Sequence, residues 1–68
     1  MNSYEIAMKY LSPMIVRARS MRFAVTKCFK DPDSAIILDC GDGSYGIFYP
    51  SKGGETIHYI GTIRRVEQ

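Results

Sequence analysis

The sequence predicts an α+β domain: an N-terminal helix, kinked or broken, packed on a four-stranded antiparallel β-meander in two layers. Three observations carry this. Residues 2–20 are the only strongly helix-periodic stretch. Residues 22–66 divide into four short runs rich in β-branched and aromatic residues. Clusters of Asp, Gly, Pro and Ser separate those runs at the spacing of a small meander.

Projected at about 100° per residue, the first stretch gathers Tyr4, Ala7, Met8, Leu11, Met14, Ile15 and Ala18 into one arc. That is the spacing of a half-buried helix. Asn2 is placed as an N-cap, and Glu5 stands in the capping-box position, where it also favours the positive end of the helix dipole. Pro13 opposes a continuous helix, because it removes a backbone donor and clashes with the carbonyl of Lys9. Either the helix kinks with Pro13 on its solvent side, or it stops near Leu11 and restarts with Ser12 as N-cap. The sequence leaves both open.

The first expected strand covers residues 22–29, although Lys27 breaks its alternation and asks for a bulge or an edge position. Asp31-Pro32-Asp33-Ser34 reads as a type I turn. The second strand, residues 35–40, is apolar on both faces and is expected at the centre of the sheet. Asp42-Gly43 suits a type I′ hairpin turn. The third strand, residues 45–49, sets Tyr45, Ile47 and Tyr49 on one face and Phe48 on the other. The fourth, residues 55–66, sets Ile57, Tyr59 and Ile63 together, and Gly61 within it marks a bulge or a close backbone approach.

Residues 1–68 fit one domain, with no internal repeat or low-complexity segment. Composition is globular: 46% of residues are hydrophobic and 24% charged. A chain this short buries only ~60% of its unfolded surface, so a homodimer or a partner would supply further burial. Glu5, Lys9 and Pro13 interrupt any apolar signal-peptide core, and no apolar run is long enough to cross a membrane. A cytoplasmic protein with two reduced thiols, Cys28 and Cys40, is expected.

Net charge is +2 but unevenly distributed. Lys9, Arg17, Arg19, Arg22, Lys27 and Lys30 make the first half basic. Asp31, Asp33, Asp39 and Asp42 make the centre acidic. Such segregation bears on steering and partner choice.

No catalytic, metal or cofactor signature is present. His58 stands alone and reads as a partly exposed strand histidine. Cys28 and Cys40 lack CxxC spacing and read as small buried apolar residues. The four aspartates lack EF-hand spacing and read as turn formers. Residues 41–46 are glycine-rich but have neither the lysine nor the helix of a phosphate loop.

Two surface features remain as binding candidates. One is the basic set Arg17, Arg19, Arg22 and Lys27. The other is the aromatic set Tyr45, Phe48, Tyr49 and Tyr59 on adjacent expected strands. One short helix cannot cover both faces of a four-stranded sheet, so some of these rings are expected at the surface or in a partner. Asp31, Asp33, Asp39 and Asp42 join them as groups suited to a basic partner surface.

In size, compactness and lack of catalytic motif the chain resembles small phage-encoded anti-defence proteins of the anti-CRISPR type. No residue motif carries that resemblance. It implies a non-enzymatic inhibitor that occupies a surface of a larger host protein or nucleoprotein effector complex. The alternative, from a different class, is a small nucleic-acid-binding or regulatory protein that uses the basic patch and the sheet aromatics.

Overall fold

The structure, a computed structural model, describes residues 1–66. It is α+β and antiparallel, with five strands in place of four. In chain order these are β1 (Asn2–Met8), β2 (Met14–Ala18), helix α1 (Met21–Cys28), a 3-10 turn (Pro32–Ser34), β3 (Ile36–Asp39), β4 (Ser44–Pro50) and β5 (Ile57–Val66). They assemble in the sheet order β2-β1-β5-β4-β3.

The N-terminal stretch is not a helix. It is a β-hairpin, registered from Asn2 opposite Ala18 to Ile6 opposite Met14. Its apolar residues satisfy both periods: Tyr4, Ile6 and Met8 alternate on β1, and Met14, Val16 and Ala18 alternate on β2. Pro13 decides between them. A helix interior rejects it, whereas here it falls in the connecting loop beside β2. The kink-or-restart question therefore does not arise.

The helix lies where the first strand was expected. Ser20 caps it, its Oγ accepting from the Phe23 N–H at 3.3 Å. Met21, Ala24, Val25 and Cys28 recur at helical spacing and turn inward. Lys27 breaks a two-residue alternation because the period of this stretch is 3.6, not 2. Thr26 donates back to the Arg22 carbonyl at 3.0 Å, as an exposed helical threonine can.

The last three expected strands are present and form a meander, β3-β4-β5, that continues into the hairpin through β5 and β1. The run at residues 35–40 does not lie at the centre, however. β3 is an edge strand. The β3–β4 turn is a three-residue loop closed by the Cys40 N–H donating to Ser44 O at 3.1 Å. Gly41 and Gly43 take positive φ there while Asp42 does not, so the turn is not type I′. Asp42 Oδ1 instead accepts from the amide and hydroxyl of Ser44 at 3.0 and 2.6 Å.

One sheet face carries the core. Ile6 and Ile63 lie in one cross-strand row with Tyr45, and Ile47 and Gly61 lie in the next. Tyr4, Ile6, Ala18, Ile47 and Ile63 are buried with Ala24 and Val25 of α1 and with Ala35. Tyr45 and Tyr49 pack against this group.

β5 has one irregularity, and it matters for everything that follows. Ile47 pairs with Gly61 but Phe48 pairs with Tyr59, so Ile60 is an extra residue. The Ile60 carbonyl accepts from the Lys9 N–H at 3.2 Å. Gly61 sits so close to β1 that a Cβ there would lie 2.3 Å from Ala7 O and 3.0 Å from Met8 Cα. Gly61 is thus both a bulge residue and a close backbone approach. The bulge reverses the alternation: Ile63 faces the core, while Ile57 and Tyr59 face away from it. They do not share a face with Ile63 as the unbroken pattern required.

Candidate protein-docking face

The sheet has a second face with no helix on it. Following the register from the β4–β5 hairpin, Pro50 lies opposite Ile57. The next row is Ile36, Phe48 and Tyr59. Leu38, Gly46, Thr62 and Ala7 follow, and then Ser44, Arg64, Glu5 and Ile15. The first two rows and Leu38 make a continuous apolar surface.

Its centre is an aromatic pair. The rings of Phe48 and Tyr59 meet edge-on with centroids 5.7 Å apart. Gly46 makes room for this, since a Cβ there would lie 2.7 Å from Phe48 Cε1. Tyr59 is 48% exposed, and Leu38 and Ile57 are each 46% exposed. Beyond Tyr59 the surface enters a groove of about 350 Å³ lined by Met8, Lys9, Tyr10, Leu11, Tyr59 and Ile60. Tyr10 and Leu11, on the β1–β2 loop, are 88% and 62% exposed.

The aromatic candidates thus divide. Phe48 and Tyr59 occupy the helix-free face. Tyr45 and Tyr49 belong to the core side, where Tyr49 packs against Phe29 at 5.9 Å and donates its hydroxyl to the Asp31 carbonyl at 2.9 Å. Burial, and then the Asp31 charge, push the Tyr49 phenol above its usual range, with Arg22 partly opposing them.

The basic candidates divide as well. Arg17, on β2, pairs opposite Ser3 on the helix-free face. Arg19 follows β2 and lies over the Phe23 ring at 5.4 Å. Arg22 is on α1 and donates to the Ala35 carbonyl at 3.2 Å. Lys27 reaches back from α1 to donate to the Arg17 carbonyl at 2.6 Å. Arg19 and Lys27 line one groove with Ala18 and Phe23, and Lys27 meets the Arg17 backbone there, whereas the Arg17 side chain lies on the helix-free face and Arg22 is held at Ala35. Arg64, which sequence reasoning did not single out, joins Arg17 on the helix-free face, where its Nε donates to Glu5 Oε1 at 2.8 Å.

The aspartates form two pairs at opposite ends of β3. Asp31 caps the 3-10 turn before it and Asp33 lies within that turn, while Asp39 and Asp42 lie at the far end of β3; all four are exposed. Bonds from the Ser44 hydroxyl and amide hold the Asp42 carboxyl below the usual carboxylate range. Among the described residues no three His, Cys, Asp or Glu side chains converge as metal ligands. His58 is exposed opposite Tyr49. Cys28, half-buried at the end of α1, lies 3.9 Å from Met14 Sδ. Cys40 is free and exposed, not a buried apolar residue, because the edge position of β3 leaves its end at the surface. No described helix is long and apolar enough to cross a membrane.

Ile36, Leu38, Ile57, Tyr10 and Leu11 were absent from the sequence-based candidates. The doubly apolar run at residues 35–38 carried the signal for the first two. It indicated two faces that avoid water, and one of them proves to be open surface.

The chain matches no family model, no curated protein and no solved structure.

Proposed function

We propose that this is a non-enzymatic binding protein that docks on a larger partner protein through its helix-free sheet face. The observation that carries this reading is the continuous row of Ile36, Phe48 and Tyr59 with Leu38 and Ile57 beside it, open to solvent on an otherwise folded sheet. An apolar, aromatic centre with charged groups beyond it is the anatomy of a protein interface. In this reading Tyr59 and Phe48 are the anchors, and the Arg64–Glu5 pair belongs to the polar rim. The resemblance to anti-CRISPR-type proteins gives the proposal its specific form: inhibition of a nuclease or effector complex by occupation of one of its surfaces.

The test compares the wild type with a Leu38→Ser, Tyr59→Ser double variant. Both side chains are half-exposed, so the variant is expected to keep its circular dichroism and most of its stability. Tagged wild type captured from host lysate should retain a partner, identified by mass spectrometry, that the variant loses. In an interference assay the same variant should lose inhibition. Equal capture of the same partner by both proteins would sink the docking-face reading.

A second reading has one observation in its favour. Arg17 and Arg64 share the helix-free face with Phe48 and Tyr59, as a base-stacking surface with phosphate contacts would require. Against it, Arg64 is already paired with Glu5. Nucleic-acid mobility shifts across a salt series decide the matter. No shift at low salt removes this reading, and a strongly salt-dependent shift lost in Arg17→Ala supports it.

A further inference from the structure

We infer that the free edge of β3 accepts an extended strand of the partner protein, apolar at alternate positions and basic at both ends; this rests on the docking-face reading and specifies its partner. The hydrogen bond from Cys40 N–H to Ser44 O makes that pair a hydrogen-bonded one. Such pairs alternate along an antiparallel ladder, so Leu38 and Ile36 bond to β4 at Gly46 and Phe48. The N–H and C=O groups of Ile37 and Asp39 therefore point away from β4, and β3 is the last strand of the sheet.

The two edges of the sheet are not equivalent. Along β2, Lys27 Nζ of α1 donates to the Arg17 carbonyl, and Cys28 of α1 lies against Met14. On the other side Arg22 of α1 reaches only the Ala35 carbonyl, just before β3, and among the described residues no such contact covers β3 itself (Ile36–Asp39). Its sequence, Ile36-Ile37-Leu38-Asp39, contains no lysine or proline of the kind that blunts an exposed edge. A strand added here would also extend the Ile36–Phe48–Tyr59 row, so its alternate side chains would continue the apolar face.

Charge selects the occupant. Residues 31–51 contain four aspartates and no basic residue. Two aspartates stand at each end of β3, all exposed. Of the nearby bases, Lys30 precedes Asp31, Arg22 is held by the Ala35 carbonyl and Arg64 is held by Glu5. A second copy added antiparallel would set Asp31 and Asp33 against Asp39 and Asp42, and like charges across a strand pair oppose association. A strand with Lys or Arg at both ends meets opposite charge at both ends instead.

The experiment uses two labelled peptides of alternating Val and Thr, one flanked by paired lysines and the other by paired glutamates. Binding is read by fluorescence anisotropy, and amide exchange is followed on the isotope-labelled full chain. The lysine peptide is expected to bind at least about tenfold more tightly than the glutamate peptide. It should slow exchange at the amides of Ile37 and Asp39. An Asp33→Lys, Asp39→Lys variant should reverse the preference, and Asp39→Pro, which removes an outward N–H, should abolish binding of both peptides. Urea unfolding of each variant shows that it is folded. Equal binding of the two peptides, no binding of either, or a self-dimer protecting Ile37 and Asp39 would each overturn the inference. Peptide-induced shifts at Leu38 and Tyr59 without protection at Ile37 and Asp39 would overturn it too, while leaving the docking face standing.

Discussion

Gly61 tests the bulge on which the helix-free face depends. In Gly61→Ala the new methyl would sit 2.3 Å from Ala7 O, and that atom is backbone, so no side chain can swing aside. Bringing the contact out to even 3.0 Å requires β1 and β5 to part by roughly 0.7 Å at the end of their ladder. The pairing of Ala7 with Thr62 and of Met8 with Gly61 lies there, together with the bond from Lys9 N–H to Ile60 O. Two or three hydrogen bonds weakened at about 0.5–1.5 kcal/mol each give a loss of about 2–3 kcal/mol. The usual entropic gain of Gly→Ala, about 0.5 kcal/mol, offsets only a fraction of that. A chain of this size is stable by about 3–10 kcal/mol, so the loss is a large share of the whole. With a urea slope of about 1 kcal/mol per molar, the midpoint should fall by about 2 M. Gly46→Ala is the matched control. Its methyl would meet the Phe48 ring at 2.7 Å, and that ring can rotate toward solvent, so its loss should stay near ~1 kcal/mol. If Gly61→Ala unfolds within about 0.5 kcal/mol of wild type, or Gly46→Ala proves the more harmful, the close approach of β1 and β5 is wrong.

Other outcomes follow from local geometry. Ser20→Ala removes the cap that accepts from the Phe23 N–H, and urea unfolding should show a loss of about 0.5–1 kcal/mol, whereas Ser20→Asp should retain most of the stability. Tyr49→Phe loses the hydroxyl bond to Asp31 O, for about 1 kcal/mol in the same assay. The folded Tyr49 phenol is raised, so the unfolded chain gives up that proton first. Its contribution is present below the ordinary phenol range and is lost as pH rises through the folded value, so the stability advantage of wild type over Tyr49→Phe should be full at neutral pH and shrink across that alkaline window. Burial pushes the Cys28 thiol up, with Lys27 partly opposing it, so a maleimide should label Cys40 first and Cys28 slowly. Peptide mapping showing equal rates at pH below 9.0 would contradict the packing of Cys28 against Met14.

The β3-β4-β5 meander was legible because Asp, Gly, Pro and Ser bound each run and the runs alternate. The split of Tyr45, Ile47 and Tyr49 from Phe48 was legible for the same reason. The N-terminal half was not, because the two periods compete within it. Tyr4, Met8, Leu11, Ile15 and Ala18 satisfy a helix as well as Tyr4, Ile6, Met14 and Val16 satisfy a hairpin. Pro13 speaks locally for the hairpin, and the partner strand β5, nearly sixty residues away in the chain, adds what no local pattern carries: it pairs with β1 from Ser3 to Met8 and gives Ile6 its burial opposite Ile63. In residues 21–28 the apolar and β-branched residues favoured a strand on propensity, yet Ser20 supplies a cap and Met21, Ala24, Val25 and Cys28 supply the helical stripe. Propensity is the weaker of those signals in a segment that packs against a sheet.

The candidate face was half legible, and the missing half has one cause. Phe48 could be placed from the alternation of its own strand. Tyr59 could not, because the extra residue at Ile60 shifts the alternation of β5 midway. Without the bulge, Tyr59 would point to the core side with Ile63, leaving Phe48 without its aromatic neighbour. With it, the C-terminal half of β5 seals the core through Ile63, and the N-terminal half supplies Ile57 and Tyr59 to the opposite face. β3 makes the same division by plain alternation: Ile37 packs against the core, and Ile36 and Leu38 turn outward. A domain this small has few apolar residues to spare, yet it holds Ile15, Leu38, Ile57 and Tyr59 about half-exposed on one side of its sheet. Their retention there stabilises the isolated fold little, since half of each side chain remains in water. In the proposed docking a complex would supply the missing burial, and the β3 edge would add backbone hydrogen bonds to that apolar contact.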